Sequence, residues 1–416
     1  MSNAAQAERA TQNRVVDLFR NELGYRYLGN LEKELDNSNI REQDLRNYLQ
    51  ATGKYAPELI DKAIFSLKKA SAINTGDELY PTNKAVYSIL RYGVKERLEA
   101  GENKETVQLI DWDNPAKNDF AIAEEVTIKN QHTRRPDLVL YINGIAMGMI
   151  ELKRAGVTAS EGIRQCRSNQ DELFIKSFFT TIQLVMAGND SQGLYYGTTL
   201  TSEKYFLKWK EDNDVYNEDE ILLDKHLKQF CSKARLLEIV HNFVIFDNGV
   251  KKLCRPNQYF GVIEAQKKLA KKEGGIIWHT QGSGKSLTMV WLAKWILENK
   301  PGGAGQRVLI VTDRTELDEQ IEGVFNGVEE SIVRPISGVD LVEKLNATSP
   351  RLLCSLIHKF GGKDENSSSQ FIEDLKIPKD FRAKGDFVVF IDECHRTQSG
   401  DLHKAMKALL PDAIFI

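Results

Sequence analysis

Two acidic residues and a lysine in segment 134–156 are spaced so that they could hold a metal ion. The segment reads RRPDLVLYINGIAMGMIELKRAG and contains Asp137, Glu151 and Lys153. Two carboxylates on neighbouring strands can bind a hard divalent cation such as Mg2+ and leave positions open for a phosphate oxygen and a water. A lysine beside them can orient that water or deprotonate it. The set predicts hydrolysis of phosphodiester bonds, and a surface ion pair on an edge strand is the alternative.

Two strand-like runs would have to bring these residues together. Alternating side chains predict strands over 138–142 and 145–152, joined by an Asn-Gly turn that is typical of hairpins. A strict two-residue turn pairs Asp137 with Ile150, which turns its side chain to the wrong face of the sheet. One additional residue pairs Asp137 with Glu151 instead. We therefore expect either a β-bulge or a three-residue loop.

A second set of residues could bind a nucleoside triphosphate. Segment 276–295, IIWHTQGSGKSLTMVWLAKW, has an apolar run, a Gly-rich turn and then apolar residues at helical spacing. Small residues let main-chain N–H groups point at phosphates, and the positive end of the following helix adds to that field. Lys285 is expected to reach the β- and γ-phosphates, and Ser286 to hold Mg2+. His279 stands where the general pattern has its first glycine. The predicted binding residues are Thr280, Gly282, Ser283, Gly284, Lys285 and Ser286.

An acidic pair after another predicted strand would complete this second site. The run 387–391, FVVFI, is continuously apolar, as in a central parallel strand, and Asp392 and Glu393 follow it. Open α/β sheets bind ligands at the C-terminal ends of their strands. We therefore expect Asp392 to hold Mg2+ and Glu393 to polarise the water that attacks ATP. A solvated acidic strand end is the alternative.

The rest of the chain alternates between helical and strand-like spacing. Helices are expected within 8–23, 31–100 and 223–253, and buried or half-buried strands at 178–187, 195–198, 276–278, 308–312, 352–357 and 414–416. The charged stretch 208–224 is expected to be a solvated linker or an insertion, and 361–370 a polar loop. The lysines within 223–253 either contact DNA phosphates or lie on a solvated helix face.

Composition describes a globular protein and excludes several classes. Hydrophobic residues make up 41% and charged residues 28%, and the net charge is -3, so any DNA contact has to use local basic patches. The five cysteines form no Cys-x-x-Cys pair, which argues against a zinc site or a disulfide framework. No apolar run is long enough to span a membrane. These features favour a reducing, cytoplasmic location.

The motifs together resemble a known enzyme family. The Asp-Glu-Cys-His run at 392–395 resembles the DExH motif of superfamily 2 helicases and translocases. The Pro136-Asp137 pair followed by Glu-Leu-Lys at 151–153 resembles the PD-(D/E)xK nucleases. A nuclease in front of such a motor is similar to the restriction (R) subunit of type I restriction-modification enzymes, in a bacterial or archaeal cytoplasm. The amino-acid sequences of 118–127, 135–154 and 276–289 also resemble those of that family, and the resemblance covers nearly the whole chain.

This resemblance implies an α/β fold and a set of residue roles. A mixed-sheet PD-(D/E)xK nuclease domain is expected over 1–200, connecting helices or a linker over 201–255, and a first, parallel-sheet RecA-like P-loop domain over 256–416. Asp137 and Glu151 would be metal ligands and Lys153 the catalytic lysine. Glu22 is expected to add a carboxylate to the nuclease site, and Gln258 in RPNQYF to recognise adenine. Gln165 is expected to contact the nuclease site, although Asn169 stands four residues after it where relatives often have Tyr. Thr312, Arg314 and Lys359 are expected to contact phosphates.

The implied function is ATP-dependent translocation and cleavage of foreign duplex DNA, with ATP and Mg2+ as cofactors. Methyltransferase and specificity subunits would be partners and would recognise the target. The family continues into a second RecA-like lobe with an arginine finger, so we expect a fragment that binds ATP and hydrolyses it slowly. Two alternatives stay open. The chain is a DExH repair or remodelling helicase without nuclease activity, or a binding module whose P-loop is occluded.

Overall fold

The computed structural model describes residues 3–99, 101, 103–211, 220–301, 303, 305–312, 325, 332–356, 381, 383–392 and 406–416. Within it the chain divides into two compact units. Unit 1 comprises Met1–Val244 and Gly249–Leu253, and unit 2 comprises Ile245–Asn248 and Cys254–Ile416. Among the helices in the described ranges, none has the length and hydropathy needed to cross a membrane.

Unit 1 is built on a seven-stranded mixed sheet of order β1-β4-β5-β6-β7-β8-β9. Its strands are β1 (Arg26–Asn30), β4 (Phe120–Glu124), β5 (Leu138–Ile142), β6 (Ile145–Leu152), β7 (Leu184–Asn189), β8 (Gly193–Gly197) and β9 (Leu207–Lys208), and β2 (Val94–Glu96) pairs separately with β3 (Glu105–Val107). The pairs β1/β4 and β6/β7 are parallel and the others antiparallel. Strands β4 to β7 are buried along their whole length, which explains their nearly continuous apolar sequence.

Helices surround this sheet. They are α1 (Asn3–Asn21), α2 (Glu42–Ala51), α3 (Pro57–Ser71), α4 (Leu79–Tyr92), α5 (Ala159–Ser168), α6 (Leu222–Phe230) and α7 (Lys233–Asn242). On one face, Ile163 and Cys166 of α5 pack with Met149, Val185 and Ala187 into a single buried cluster. Amphipathic helices cover the sheet in this way because each must bury its apolar stripe.

The hairpin β5–β6 contains the bulge that the sequence predicted. Leu140 pairs with Gly148, but the next residue, Tyr141, pairs with Ala146, so Met147 is the extra residue. Leu138 pairs with Ile150, and continuing this register by one residue sets Asp137 opposite Glu151. The turn itself keeps two residues, and the bulge alternative is therefore confirmed.

Unit 2 contains a parallel four-stranded sheet of order β13-β12-β14-β15. Its strands are β12 (Gln306–Thr312), β13 (Leu352–Leu356), β14 (Asp386–Ile391) and β15 (Ile414–Phe415), and its helices are α8 (Pro256–Ala270), α9 (Lys285–Asn299) and α10 (Gly338–Asn346). The boundary between the units runs through β10 (Val244–Asp247) and β11 (Val250–Leu253). The predicted fold class, a mixed sheet followed by a parallel sheet, is confirmed.

Three local predictions were wrong. Residues 276–278 are irregular, and Ile276 and Trp278 are 68% and 89% exposed. The nearby strand β15 has only two residues, and it is too short to pair with 276–278 along their length, as a strand requires. Residues 176–180 form a 3-10 helix, and the strand expected from 178 begins at Leu184 because Phe178 and Phe179 enter the core from that turn.

The third error concerns the helix expected to continue to residue 253. Helix α7 ends at Asn242, and two strands follow it. The turn between them is Asn248-Gly249, where φ is +45° and +82°. An Asn-Gly pair flanked by β-branched residues is a hairpin signal that helical spacing concealed. In the charged stretch 208–224, Trp209 is fully buried and 212–219 lie outside the described residues, as does the polar loop at 361–370.

Candidate active sites

The bulged hairpin brings two carboxylates together at the end of β6. Glu151 is fully buried on β6, and Asp137 directly precedes β5. The backbone N–H of Leu152 donates to Oδ2 of Asp137 over 2.7 Å. Asn169 Nδ2 donates to Oε1 of Glu151 over 3.2 Å, whereas Oε2 of Glu151 is buried without a hydrogen-bond partner. Among the described residues no donor is directed at that oxygen, and the side chains of Asp137 and Glu151 lie within hydrogen-bond reach of each other, so the two carboxyl groups can share a proton.

Burial makes both acids reluctant to ionise, and the charge of Asp137 adds to this effect at Glu151. Burial raises the pKa of Asp137 to about 6, and the charge of Lys153 and the N–H of Leu152 oppose this rise. Burial also raises the pKa of Glu151 well above its ordinary value, and the charge of Asp137 adds to the shift. A cation between the two groups would relieve both effects because it favours the charged carboxylates.

Lys153 completes this cluster and pairs with a residue from the first helix. Its Nζ lies 3.3 Å from Oε1 of Glu8, and 14% of the Lys153 side chain is exposed. Burial lowers the pKa of the ammonium, but Asp137, Glu151 and Glu8 outweigh it, and the pKa of Lys153 is raised. The lysine is therefore a cation at neutral pH and a poor proton acceptor.

Helix α5 approaches β6 closely because Gly162 has no side chain. A Cβ atom at Gly162 would lie 3.1 Å from Cβ of Ala187 and 3.4 Å from the carbonyl oxygen of Glu151. This approach lets the residue after α5, Asn169, reach the carboxylate of Glu151. Asn169 stands four residues after Gln165, at the position where relatives often have Tyr. In this chain the residue at that position is the one that contacts Glu151.

Two further residues suggested by the resemblance, Glu22 and Gln165, make no contact with Asp137 or Glu151 among the contacts of the described residues. Glu22 contacts α6, where its Oε2 lies 2.7 Å from Nζ of Lys228. The α1 carboxylate at this cluster is Glu8. Gln165 lies one turn before Asn169 on α5, and the contact to Glu151 comes from Asn169. Sequence reasoning missed Glu8.

A second layer of polar residues supports Asp137 from α1. Gln12 Nε2 donates to the carbonyl oxygen of Asp137 and to Oε2 of Glu124, each over 3.3 Å. Arg9 pairs with Glu124 over 3.2 Å and with Glu125 over 3.4 Å. No local sequence signal could have found these contacts, because they join residues more than a hundred positions apart.

The Asp137–Glu151 pair fits a divalent cation. Its donors are hard oxygens, and Oε2 of Glu151 lacks a partner. Within the described ranges, no group of three or more His, Cys, Asp or Glu side chains is placed to hold a metal. The protein would thus supply two carboxylates and leave other positions to water or substrate, as catalytic metal sites require.

In unit 2 the glycine-rich turn is held in a conformation that depends on glycine. Gly282 and Gly284 have φ of +77° and +85°, and α9 begins directly after them at Lys285. Nε2 of Gln258 donates to the carbonyl oxygen of Gly284 over 2.8 Å, and Arg255 donates to that of Gly282 over 3.1 Å. The turn and the helix N-terminus therefore have the arrangement that binds phosphates through the backbone.

Gln258 supports this turn from within the protein. It is 2% exposed, and its Oε1 accepts a hydrogen bond from the backbone N–H of Arg255 over 2.8 Å. Its amide thus joins the start of α8 to the glycine turn. His279 lies against Gly261 of α8, where burial lowers the pKa of its imidazole. Adenine recognition by Gln258 stays a prediction.

The acidic end of β14 lies at the C-terminal edge of the parallel sheet. Asp392 is 8% exposed, and its N–H donates to the carbonyl oxygen of Val311 over 3.0 Å. Thr312 is buried at the end of β12. Glu393, Arg314 and Lys359 lie outside the described residues, and their predicted roles stay predictions.

Comparisons with known proteins match two different families to two parts of the chain. Residues 5–204 match the family model of the type I restriction enzyme R protein N terminus, and residues 257–416 match that of the SWI2/SNF2 ATPase. The putative type I restriction enzyme MjaIXP endonuclease subunit of Methanocaldococcus jannaschii is 27% identical over 97% of this chain and 41% of its own length.

Two bacterial proteins show the same relationship. The type I restriction enzyme HindI endonuclease subunit of Haemophilus influenzae is 26% identical over 88% of this chain and 37% of its own length. The SauMSSORF170P endonuclease subunit of Staphylococcus aureus is 28% identical over 74% and 32%. The chain spans about two fifths or less of the length of these relatives. Over most of its length, the chain is similar to the endonuclease subunits of type I restriction enzymes, and its two parts match the models of the R-protein N terminus and of the SWI2/SNF2 ATPase.

Proposed function

We propose that this chain cuts foreign duplex DNA at the Asp137–Glu151 cluster and binds ATP at the glycine turn, as part of a type I restriction endonuclease. The observation that carries the proposal is the close pair of carboxyl groups of Asp137 and Glu151, in which Oε2 of Glu151 is buried, has no donor among the described residues and belongs to a group with a strongly raised pKa. Two carboxylates held side by side repel each other when both are ionised, and a divalent cation between them offsets that repulsion.

In this mechanism Asp137 and Glu151 hold Mg2+. The bound ion would supply a Lewis acid that polarises the phosphodiester and acidifies a water. Asn169 orients Glu151 through Oε1, which leaves Oε2 for the ion. Lys153 keeps its proton, so it orients the water or stabilises the negative charge on the phosphate, and it does not act as the base.

The motor half of the proposal concerns unit 2. The backbone of the glycine turn, with Lys285 and Ser286, would bind the phosphates of ATP and its Mg2+. Asp392 would hold the same ion from the edge of the sheet, and Glu393 would polarise the attacking water. The match to the SWI2/SNF2 ATPase supports translocation of double-stranded DNA as the use of this energy. Methyltransferase and specificity subunits are the proposed partners that select the DNA site.

The decisive experiment substitutes Glu151→Gln, which preserves shape and removes the charge. The chain would be assembled with its partner subunits and given a supercoiled plasmid with an unmodified site, Mg2+ and ATP. We expect cleavage to fall to background while binding of a fluorescent ATP analogue at the glycine turn is unchanged. Glu22→Gln, which alters a carboxylate that pairs with Lys228, is the matched control and should cleave normally. Cleavage by Glu151→Gln at the normal rate would favour the helicase alternative.

A direct measurement of metal binding tests the same centre without cleavage. Mn2+ should stabilise unit 1 against thermal unfolding in the unaltered chain, because a ligand that binds only the folded state raises its stability. Asp137→Asn should abolish that stabilisation. An equal effect of Mn2+ on both proteins would place the ion elsewhere.

A further inference from the structure

Unit 1 contains a cavity of about 690 Å³ that is separate from the Asp137–Glu151 cluster. Its wall comes from α2 and the segment after it, from α4, from α7 and from the segment 108–117, which we call the cavity loop. Asp137, Glu151 and Lys153 are not among the lining residues. A volume of several hundred Å³ is typical of sites for small organic ligands.

Aromatic rings form much of this wall. Trp112 of the cavity loop and His241 of α7 are stacked, with ring centroids 4.8 Å apart and an interplanar angle of 29°. Tyr48 and Tyr55 also line the cavity. Nε1 of Trp112 is buried without a hydrogen-bond partner. Aromatic faces in this number favour a planar ring as ligand, because such rings stack on one another.

The charges on the wall favour an anionic group on that ligand. Lys54, Lys117 and Arg91 line the cavity, against Asp111 and Asp113. Oδ1 of Asp111 already accepts a hydrogen bond from the N–H of Asn114 over 2.9 Å, and its Oδ2 lies 3.9 Å from Lys117. Asp111 and Lys117 therefore partly neutralise each other, which leaves Lys54 and Arg91 against Asp113. Lysine side chains provide mobile positive charges of the kind that bind phosphates.

The cavity loop is held rigidly by a buried asparagine. Asn143, in the turn between β5 and β6, is fully buried and has φ of +52°. Its Nδ2 donates to the carbonyl oxygen of Leu109 over 2.9 Å and to Oδ1 of Asn118 over 2.8 Å. The same Oδ1 of Asn118 accepts from the N–H of Asp111 over 2.9 Å. A wall fixed in this way loses little conformational entropy when a ligand binds.

We propose that this cavity binds one nucleotide, with its base on the Trp112–His241 stack and its phosphate beside Lys54 and Lys117. A planar heterocycle joined to a phosphate is the chemical class that meets both requirements of the wall. Two sources can supply it, a free mononucleotide or a nucleotide in an unpaired DNA strand. The site would be an addition to the nuclease cluster and to the glycine turn of unit 2.

The experiment measures binding of two probes to the full chain carrying Lys285→Ala, so that nucleotide at the glycine turn does not contribute. The probes are dAMP, followed by calorimetry, and a fluorescein-labelled single strand of ten deoxyadenosines, followed by anisotropy. A duplex of the same length is the comparison. Trp112→Ala removes the stacking surface, and the double variant Lys54→Ala/Lys117→Ala removes the lysines. Lys62→Ala/Lys95→Ala removes two exposed lysines that do not line the cavity.

We expect at least one probe to bind and Trp112→Ala to raise its dissociation constant on the order of tenfold, the usual effect of losing one stacked base. The cavity lysine pair should weaken binding several-fold, and the control pair should not. Binding of dAMP identifies the free nucleotide as a ligand, and binding of the single strand alone identifies the unpaired strand. Either outcome supports the proposal.

The proposal is overturned if neither probe binds, if only the duplex binds, or if the two cavity variants bind like the control. Trp112→Ala removes a partly buried ring and could unfold the loop. In that case the lysine pair decides the matter, because both lysines are exposed and their loss leaves the packing intact. Equal binding by the cavity and control lysine pairs would then refute the site.

Discussion

The two units build their candidate sites by opposite means. In unit 1 the chemistry lies in side chains, since the half-buried Asp137 and the fully buried Glu151 are aligned by the register of a bulged hairpin. In unit 2 it lies largely in the backbone, since Gly282 and Gly284 hold positive φ angles directly before α9 begins. A site made of side chains should respond to charge and pH, and a site made of backbone should respond to added Cβ atoms.

This difference has a physical origin in what each site binds. A divalent cation requires formal negative charge, which the backbone cannot supply, so unit 1 has to bury carboxylates despite their desolvation. A triphosphate requires many donors, which backbone amides supply without a desolvated charge. The energetic cost therefore falls on ionisation in unit 1 and on backbone conformation in unit 2.

The largest effect is expected from Gly284→Ala. The residue has φ of +85°, which costs an L-residue about 1–2 kcal/mol. Its new Cβ would also lie 2.4 Å from Nε2 of Gln258 and would break the bond from that amide to the turn. We expect ATP affinity to fall on the order of a hundredfold, the sum of strain and a lost hydrogen bond. Titration with a fluorescent ATP analogue measures it.

Gly162→Ala is the matched control in unit 1. This glycine lies within α5 and outside the left-handed region, and its added Cβ would press on Ala187 and on the backbone of Glu151. ATP affinity should not change, whereas Mn2+ affinity should fall several-fold because Glu151 shifts. If the alanine variants at 284 and 162 lowered ATP affinity equally, the claim that only the site in unit 2 depends on backbone conformation would be wrong.

The next effect concerns pH. The pKa of Asp137 is raised to about 6, so below that pH a metal ion has to displace a proton. Apparent Mn2+ affinity should therefore rise up to that value by about tenfold per pH unit for each proton that the ion displaces, and because the pKa of Glu151 is raised as well, a proton on Glu151 makes the rise steeper. Without metal the sign is opposite. The stability that Asp137 contributes is present below its ordinary pKa and is lost as pH increases through about 6.

Calorimetry with Mn2+ between pH 5 and pH 8 checks this behaviour. Asp137→Asn should weaken binding and flatten the remaining dependence. The affinity of unit 2 for ATP should show no change above pH 6.5 that is due to His279. Burial lowers the pKa of His279, so its imidazole is neutral in that range. A flat Mn2+ profile in the unaltered protein would mean that Asp137 is ionised throughout and is no part of a coupled acid pair.

A smaller effect is expected from Asn169→Leu. The substitution preserves bulk but removes the donor to Oε1 of Glu151, which leaves both oxygens of a buried carboxylate without a hydrogen bond. The pKa of Glu151 should rise further, and metal affinity should fall by roughly 10–100-fold, as when a supporting residue behind a metal ligand is lost. Calorimetry with Mn2+ measures it. Unchanged affinity would show that Asn169 plays no part in orienting Glu151.

The sequence predicted those parts of the fold whose signals are local. Strands β12, β13 and β14 followed from continuous apolar runs. The requirement that Asp137 and Glu151 share a face predicted either a bulge or a three-residue loop, and the structure has the bulge. Register is predictable in this way because a shift of one residue moves every side chain to the opposite face.

Two of the failures share a cause, whereas the hairpin at Asn248-Gly249 had a local signal that helical spacing concealed. The pair of Glu8 with Lys153 joins residues 145 positions apart, and no local pattern encodes such a contact. The apolar run 276–278 predicted a buried strand, but burial depends on a partner strand, and among the described residues the pairing with β15 is one bond, from the N–H of Gly275 to the carbonyl oxygen of Phe415 over 3.1 Å. Local pattern therefore specified the elements, and contacts between distant segments specified the sites.

The smallest effect is expected from Glu8→Gln. The Glu8 side chain is 40% exposed, and exposed ion pairs contribute less than about 1 kcal/mol, so unfolding by urea should change little. The pKa of Lys153 should fall because one of three anions around it is lost. Cleavage by the assembled enzyme should slow only a few-fold at neutral pH, where the lysine stays charged, and more at alkaline pH. Complete loss of cleavage at every pH would instead make Glu8 a metal ligand, and the side-chain site in unit 1 would then contain three carboxylates.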